Sequence, residues 1–198
     1  MNLPITQKNW QSGLEWDQFV KGMQTHRLEM QRRLKIVDLS ETEVDILKNI
    51  ELSIHTLVMT EDWCVDSLMN LPILVKIARA VPRMDIRIFP RRDWTELDAY
   101  FQERGIQHIP VFLLLDSDFK EIGVWVERSK AASERLAQWV SAHPVYEAIR
   151  TSNELSREEK RTRLAPFLAE RQLEMEDWYQ KGLQLSMVTE IVDILMVN

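Results

Sequence analysis

A single cysteine, Cys64, stands in a chain of 198 residues. Alone it can form no intrachain disulfide, no CxxC zinc site and no self-contained dithiol couple. Glycine is also scarce. The five glycines, at 13, 22, 105, 123 and 182, are spaced so that neither a P-loop nor a GxGxxG dinucleotide turn can be drawn through them. The four histidines, His26, His55, His108 and His143, make no HExxH or other short metal motif, so neither a metal nor a cofactor is expected. No apolar run reaches the roughly 18–20 residues of a membrane span, and no membrane partner is expected. The opening MNLPITQKNWQSG lacks a basic n-region and an apolar h-region, so no secretory signal is expected either. Lysine and arginine (25) are outnumbered by aspartate and glutamate (31). The resulting net charge of −6 argues against nucleic acid as a partner. A lone thiol in a chain of this size suits a reducing compartment, which makes cytoplasmic residence the expectation.

What is present reads as globular. Hydrophobic residues make up 45% and charged residues 28%, a composition able to build a core. Residues 1–50 read as a helical extension. Trp16, Val20, Met23, Met30, Leu34 and Val37 recur at helical spacings, and Ser40 with Glu43 has the spacing of a capping box. Residues 51–142 alternate strands and helices. The apolar run 53–60 predicts a strand buried on both faces. The segment 65–80 predicts a helix with Pro72 inside it, and 84–90 a second strand. Asp93 and Glu96 have capping-box spacing and predict a helix opening there and ending near Gly105. VFLLL (111–115), the turn DSDFK and 121–127 predict an antiparallel hairpin, and 129–142 a last helix. Residues 143–198 read as a C-terminal helical extension packed on the core, with a capping-box spacing at Ser156 and Glu159. Pro166 either opens a helix there or bends one. The apolar end MVTEIVDILMV needs a partner surface, its own domain or a second copy. The fold class is therefore α/β, a mixed sheet of parallel βαβ crossovers and a hairpin, flanked by helices.

One constellation carries chemistry. Trp63-Cys64-Val65-Asp66-Ser67 lies between a strand and a helix, which puts Cys64 at a helix N-terminus. Unpaired N–H groups and the helix dipole favour a thiolate there and commonly lower its pKa below about 8.5. Asp66, in the first turn, opposes that effect through its negative charge. Ser67 is placed to donate to the sulfur. With Pro72 eight residues on and Ile109-Pro110 before an apolar strand, the pattern resembles the thioredoxin fold over about residues 50–142. Trp-Cys-x-x-Ser stands where thioredoxins have Trp-Cys-x-x-Cys. The wider pattern DWCxDS…LP…RDW…IP is similar to that of a bacterial subgroup described as thioredoxin family proteins.

The resemblance implies that Cys64 is the nucleophile, with Ser67 in place of the resolving cysteine. It implies that Trp63, Ile109 and Pro110 contact substrate, Pro110 as the cis-proline facing the sulfur. The buried aspartate of thioredoxins, six residues before the nucleophile, is Val58 here. A dithiol cycle is therefore excluded within the chain, and monothiol exchange remains. Cys64 would attack a disulfide-bearing protein or a glutathione-like adduct, and a low-molecular-weight thiol would release it. Arg91 and Arg92 follow the second strand at the edge where such sheets bind ligands, and are candidates for a carboxylate of that thiol. His108, two residues before Pro110, is placed to approach the sulfur. The competing expectation is a redox-inactive module that holds an extended peptide beside Pro110. A homodimer bridged through Cys64 is a third.

Overall fold

The computed structural model describes residues 3–196. After a 3-10 turn at Trp10–Ser12, three short α-helices precede the sheet, α1 (Trp16–Gly22), α2 (Arg27–Ile36) and α3 (Glu41–Lys48). The expected capping box opens α3, with the Ser40 hydroxyl accepting from the Glu43 N–H and the Glu43 carboxylate accepting from the Ser40 N–H. The apolar periodicity of residues 16–37 belongs to two helices rather than one. The chain breaks at Met23 and resumes after His26, whose φ of 57° lies in the left-handed region.

The sheet elements follow as β1 (Ile54–Thr60), α4 (Val65–Ala80), β2 (Met84–Pro90), α5 (Thr95–Glu103), β3 (Val111–Leu115) and β4 (Glu121–Val126). The strands are ordered β2-β1-β3-β4. β1 and β2 are parallel, with Val58 beside Ile88. β3 runs antiparallel to β1, with Met59 beside Val111, and β4 closes the antiparallel hairpin. Only the β1-α4-β2 crossover is thus parallel; the sequence pattern alone does not give the direction in which β3 enters. α5 begins later than expected. Asp93 and Glu96 form no capping box: the N-cap is Trp94, whose ring meets Phe89 edge-on at 4.9 Å, while Asp93 lies 3.9 Å from the Arg92 guanidinium.

The described residues gather into two compact units. The sheet unit runs to Arg128 and takes in the residues from Met187 on. Its central strands, β1 and β3, are buried almost throughout, as continuous apolar runs should be. Leu14 bridges Ile88 on the outer edge of β2 through two backbone hydrogen bonds of 2.8 Å. This approach requires Gly13, because a Cβ there would lie 2.5 Å from the Phe89 ring. After β4 come α6 (Lys130–Ala142), α7 (Pro144–Thr151), α8 (Arg157–Trp178) and α9 (Gln184–Met196). From Met187 on, α9 packs over β4. Ile194 sits on Gly123, where a Cβ would be 2.5 Å away, and the Trp125 indole N–H donates to Glu190 at 2.7 Å.

The second unit, Ser129–Ser186, has its own aromatic centre. Trp139 stacks on His143 at 4.0 Å and meets Tyr146 edge-on at 5.1 Å, with Phe167 6.0 Å from Tyr146. Ser156 and Glu159 form the expected capping box of α8, and Pro166 lies within that helix. Among the described residues, no helix is long and apolar enough to cross a membrane.

Candidate functional site

The topology explains why the residues of interest meet. β1 ends at Thr60, and β3, running the other way beside it, begins at Val111. The loop after β1 and the loop before β3 therefore share one edge of the sheet. Cys64 is the N-cap of α4, and its thiol donates to the Ile109 carbonyl with sulfur and oxygen 3.4 Å apart. The Ile109–Pro110 peptide is cis. Ser67 is buried beneath, accepting a hydrogen bond from the Thr60 hydroxyl.

Cys64 is only 7% exposed. Burial pushes its thiol above the ordinary value of 9.0, and the Asp66 carboxylate adds to the rise. Hydrogen bonds from the Ser67 hydroxyl and the Ser67 and Asp66 N–H groups pull the other way without cancelling the rise. This corrects the expectation of a lowered value. Helix N-terminal placement favours a thiolate, but desolvation penalises any charge and dominates here. The bond to Ile109 acts in the same sense, since only the protonated thiol can donate it.

Charged residues frame the loop more tightly than the sequence suggested. Glu61 and Asp62, just before Trp63, are each 4% exposed. Glu61 accepts from the Arg92 N–H at 2.6 Å and from its guanidinium at 3.3 Å. Asp62 accepts from the Gln24 N–H at 2.7 Å and the Thr25 N–H at 3.3 Å, and lies 3.6 Å from Arg92. The link between α1 and α2 is thereby fastened to the thiol loop. On the other side, Arg128 grips Asp66 through two bonds of 2.8 and 2.7 Å and also reaches Glu127 at 2.6 Å. Glu127 has a φ of 64°, and its N–H donates to the Pro110 carbonyl at 2.7 Å. Asn70, inside α4, donates to the carbonyls of Asp66 at 2.9 Å and Glu127 at 3.3 Å.

The structure thus brings Cys64, Ser67, Ile109 and Pro110 together. Trp63 stands out from the loop, 58% exposed. Arg91 and Arg92 lie at the same edge, but both have carboxylates of the chain as partners. Arg91 pairs with Asp98 at 2.6 Å and donates to the Gln107 carbonyl at 3.2 Å, while Arg92 serves Glu61 and Asp62. The exposed His108 lies 3.7 Å from Glu127. Val58 is fully buried in β1, so no carboxylate stands at the position six residues before the sulfur. The residues missed by sequence reasoning are Glu61, Asp62, Arg128 and Asn70. The acidic pair directly before Trp-Cys was the available signal. Arg128 gave none, because its partner is 62 positions away.

Comparison with known proteins follows the same lines. Residues 13–142 match the family model described as Thioredoxin, so the match begins well before β1 and takes in the first helices. No curated protein matches the chain. Among solved structures, a Pseudomonas aeruginosa protein of unknown function is similar with a TM-score of 0.67 and 20% identity, covering 96% of this chain and 97% of that one. An HIV epitope-scaffold is similar with a TM-score of 0.62 and 20% identity, covering 95% of each chain. At that identity the likeness concerns the fold.

Proposed function

The chain belongs to the thioredoxin family, and from that premise we propose that it performs monothiol thiol–disulfide exchange through Cys64. The observation that carries this reading is the 3.4 Å contact between the Cys64 sulfur and the Ile109 carbonyl, beside the cis Pro110. An extended substrate segment that pairs with the backbone of Ile109 would take over that carbonyl and bring its own sulfur to Cys64. Cys64 then loses its proton and attacks one sulfur of the disulfide. A Cys64–substrate disulfide forms, the substrate S–S bond breaks, and the other sulfur leaves as a thiolate that takes up a proton. An external low-molecular-weight thiol attacks the mixed disulfide, is itself oxidised onto the substrate half, and returns Cys64 as a thiol. Ser67 steadies the sulfur by hydrogen bonding but cannot resolve the intermediate. Trp63 offers an exposed ring to the substrate. Arg92 braces the loop through Glu61 and Asp62, while Arg91 pairs with Asp98 at the same edge. The partners are disulfide-bearing proteins or a small thiol such as glutathione, in a reducing compartment such as the cytoplasm.

A buried, protonated thiol makes this a slow nucleophile until substrate is bound. The same burial favours a second reading, a module that binds an extended peptide at Ile109–Pro110 without covalent chemistry. The two separate on one experiment. The folded chain is incubated with oxidised glutathione from neutral to alkaline pH, and the adduct is followed by mass spectrometry. Exchange predicts an adduct on Cys64 that reduced glutathione removes and that the Cys64→Ser variant lacks. An adduct seen only after denaturation, with peptide binding unchanged in Cys64→Ser, rejects exchange in favour of the module.

A further inference from the structure

The helical unit Ser129–Ser186 contains a second cluster of reactive side chains, and we propose that His143, Glu170 and Glu174 bind a divalent transition-metal ion of the zinc type. Their ligand atoms all lie within 4.8 Å of one another. His143 comes from the junction of α6 and α7. Glu170 and Glu174 are one turn apart on α8 and so project from the same face. The three are far apart in sequence, which is why no short motif announces them.

The argument rests on orientation as much as proximity. The His143 Nδ1–H donates to the Trp139 carbonyl at 2.7 Å, which requires the proton on Nδ1, so that the neutral imidazole would present its lone pair at Nε2. Nε2 faces the Glu170 carboxylate at 3.8 Å. The imidazole lies against the Trp139 ring, 4.0 Å between centroids and 22° from parallel. The Trp139 indole N–H donates to the Glu174 carboxylate at 3.1 Å. Trp139 therefore holds two of the three ligands, one by its carbonyl and one by its ring. Outer partners of this kind, on the far nitrogen of a histidine and on a carboxylate, are what fix ligands around a bound metal.

The donor set selects the ion. Zinc takes both histidine nitrogen and carboxylate oxygen as ligands, and three protein ligands leave a fourth position for water, while the absence of a thiolate argues against copper(I). The nitrogen ligand argues against calcium and magnesium, which take oxygen. Three ligands at zinc-bond lengths sit roughly 3.4 Å apart in a tetrahedral arrangement. The present spread is wider, and the exposed Glu170 side chain can close it by a change of rotamer. The rival explanation is a protonated His143 paired with Glu170 and no metal.

The test uses untagged full-length Cys64→Ser protein, so that neither the thiol nor tag histidines bind the probe. Zinc is titrated by calorimetry and cobalt(II) by its visible spectrum. One equivalent is expected at micromolar metal, with affinity lower by roughly tenfold or more in Glu170→Gln, Glu174→Gln and His143→Ala. The two glutamine variants keep side-chain shape and guard against simple misfolding. Zinc should also raise the melting temperature of the parent and not of Glu174→Gln. No saturable binding at millimolar metal overturns the proposal, and so does one equivalent bound equally by parent and variants.

Discussion

The thiol loop and the helices that follow the sheet use their acids differently. Before the sheet, the link between α1 and α2 ends on a buried carboxylate of the thiol loop, Asp62, which satisfies two backbone N–H groups there. Every acid around Cys64 is similarly committed, Glu61 and Asp62 to Arg92 and Asp66 to Arg128. In the unit Ser129–Ser186, two carboxylates converge instead on an imidazole held by Trp139. The difference separates acids that build a site from acids that can be one. The family match, which starts at residue 13, takes in the first helices whose link is fastened to the thiol loop.

Substitutions can break or sharpen this contrast. Trp139→Ala should have the largest effect. It removes the ring at the centre of the helical unit and costs about 3–5 kcal/mol by denaturant unfolding. If the thiol site is served only from the sheet unit, alkylation of Cys64 below the melting transition should not change; a change would break the comparison. Asp62→Ala comes next, at about 2–3 kcal/mol, because buried N–H groups lose a charged acceptor. Here alkylation of Cys64 should accelerate, since the loop loses its fastening to the first helices.

Arg128→Gln should cost about 1–2 kcal/mol, as a pair that is mostly but not wholly buried loses one charge. Its sharper signature is electrostatic. Asp66, released from its counter-charge, pushes the Cys64 thiol further up, so alkylation at a fixed neutral pH should slow, and Asp66→Asn should restore it. The sign for stability follows from the same thiol. Its folded value lies above 9.0, so the stability from burying it neutral is fully present below that pH and is lost as pH rises through the folded value. Denaturant midpoints measured on either side should decline with alkali in the native chain and decline less in Cys64→Ser. The smallest effects belong to the two serine capping boxes. Ser40→Ala and Ser156→Ala should each cost about 1 kcal/mol, and equal costs would show that local helix capping is indifferent to which unit holds the helix.

Much of this arrangement is legible in the sequence. The bounds of α4 and β2, the placement of Cys64 and the pairing of Ile109-Pro110 with an apolar strand all follow from local pattern. Ser40 and Ser156 behave as their spacing says. Asp93 does not: its carboxylate lies by the neighbouring Arg92, which the distant Glu61 and Asp62 hold, and Trp94, packed on Phe89, takes the N-cap instead. The thiol's pKa departs from its sequence expectation for a related reason: the helix dipole is visible in sequence, while the depth of burial that outweighs it is not. Arg128 on Asp66, and the meeting of His143 with Glu170 and Glu174, depend on partners 62, 27 and 31 positions away.

The Leu14–Ile88 bridge has a consequence for self-association. An exposed β2 edge would present a row of unpaired amides to another chain, the usual starting point for strand-to-strand polymerisation. Two reciprocal backbone bonds from Leu14 occupy the middle of that edge, and Gly13 lets them form by leaving room for Phe89. A bulkier residue at 13 would therefore do more than strain the packing. It would uncover a template, and the first symptom would be loss of solubility rather than loss of chemistry.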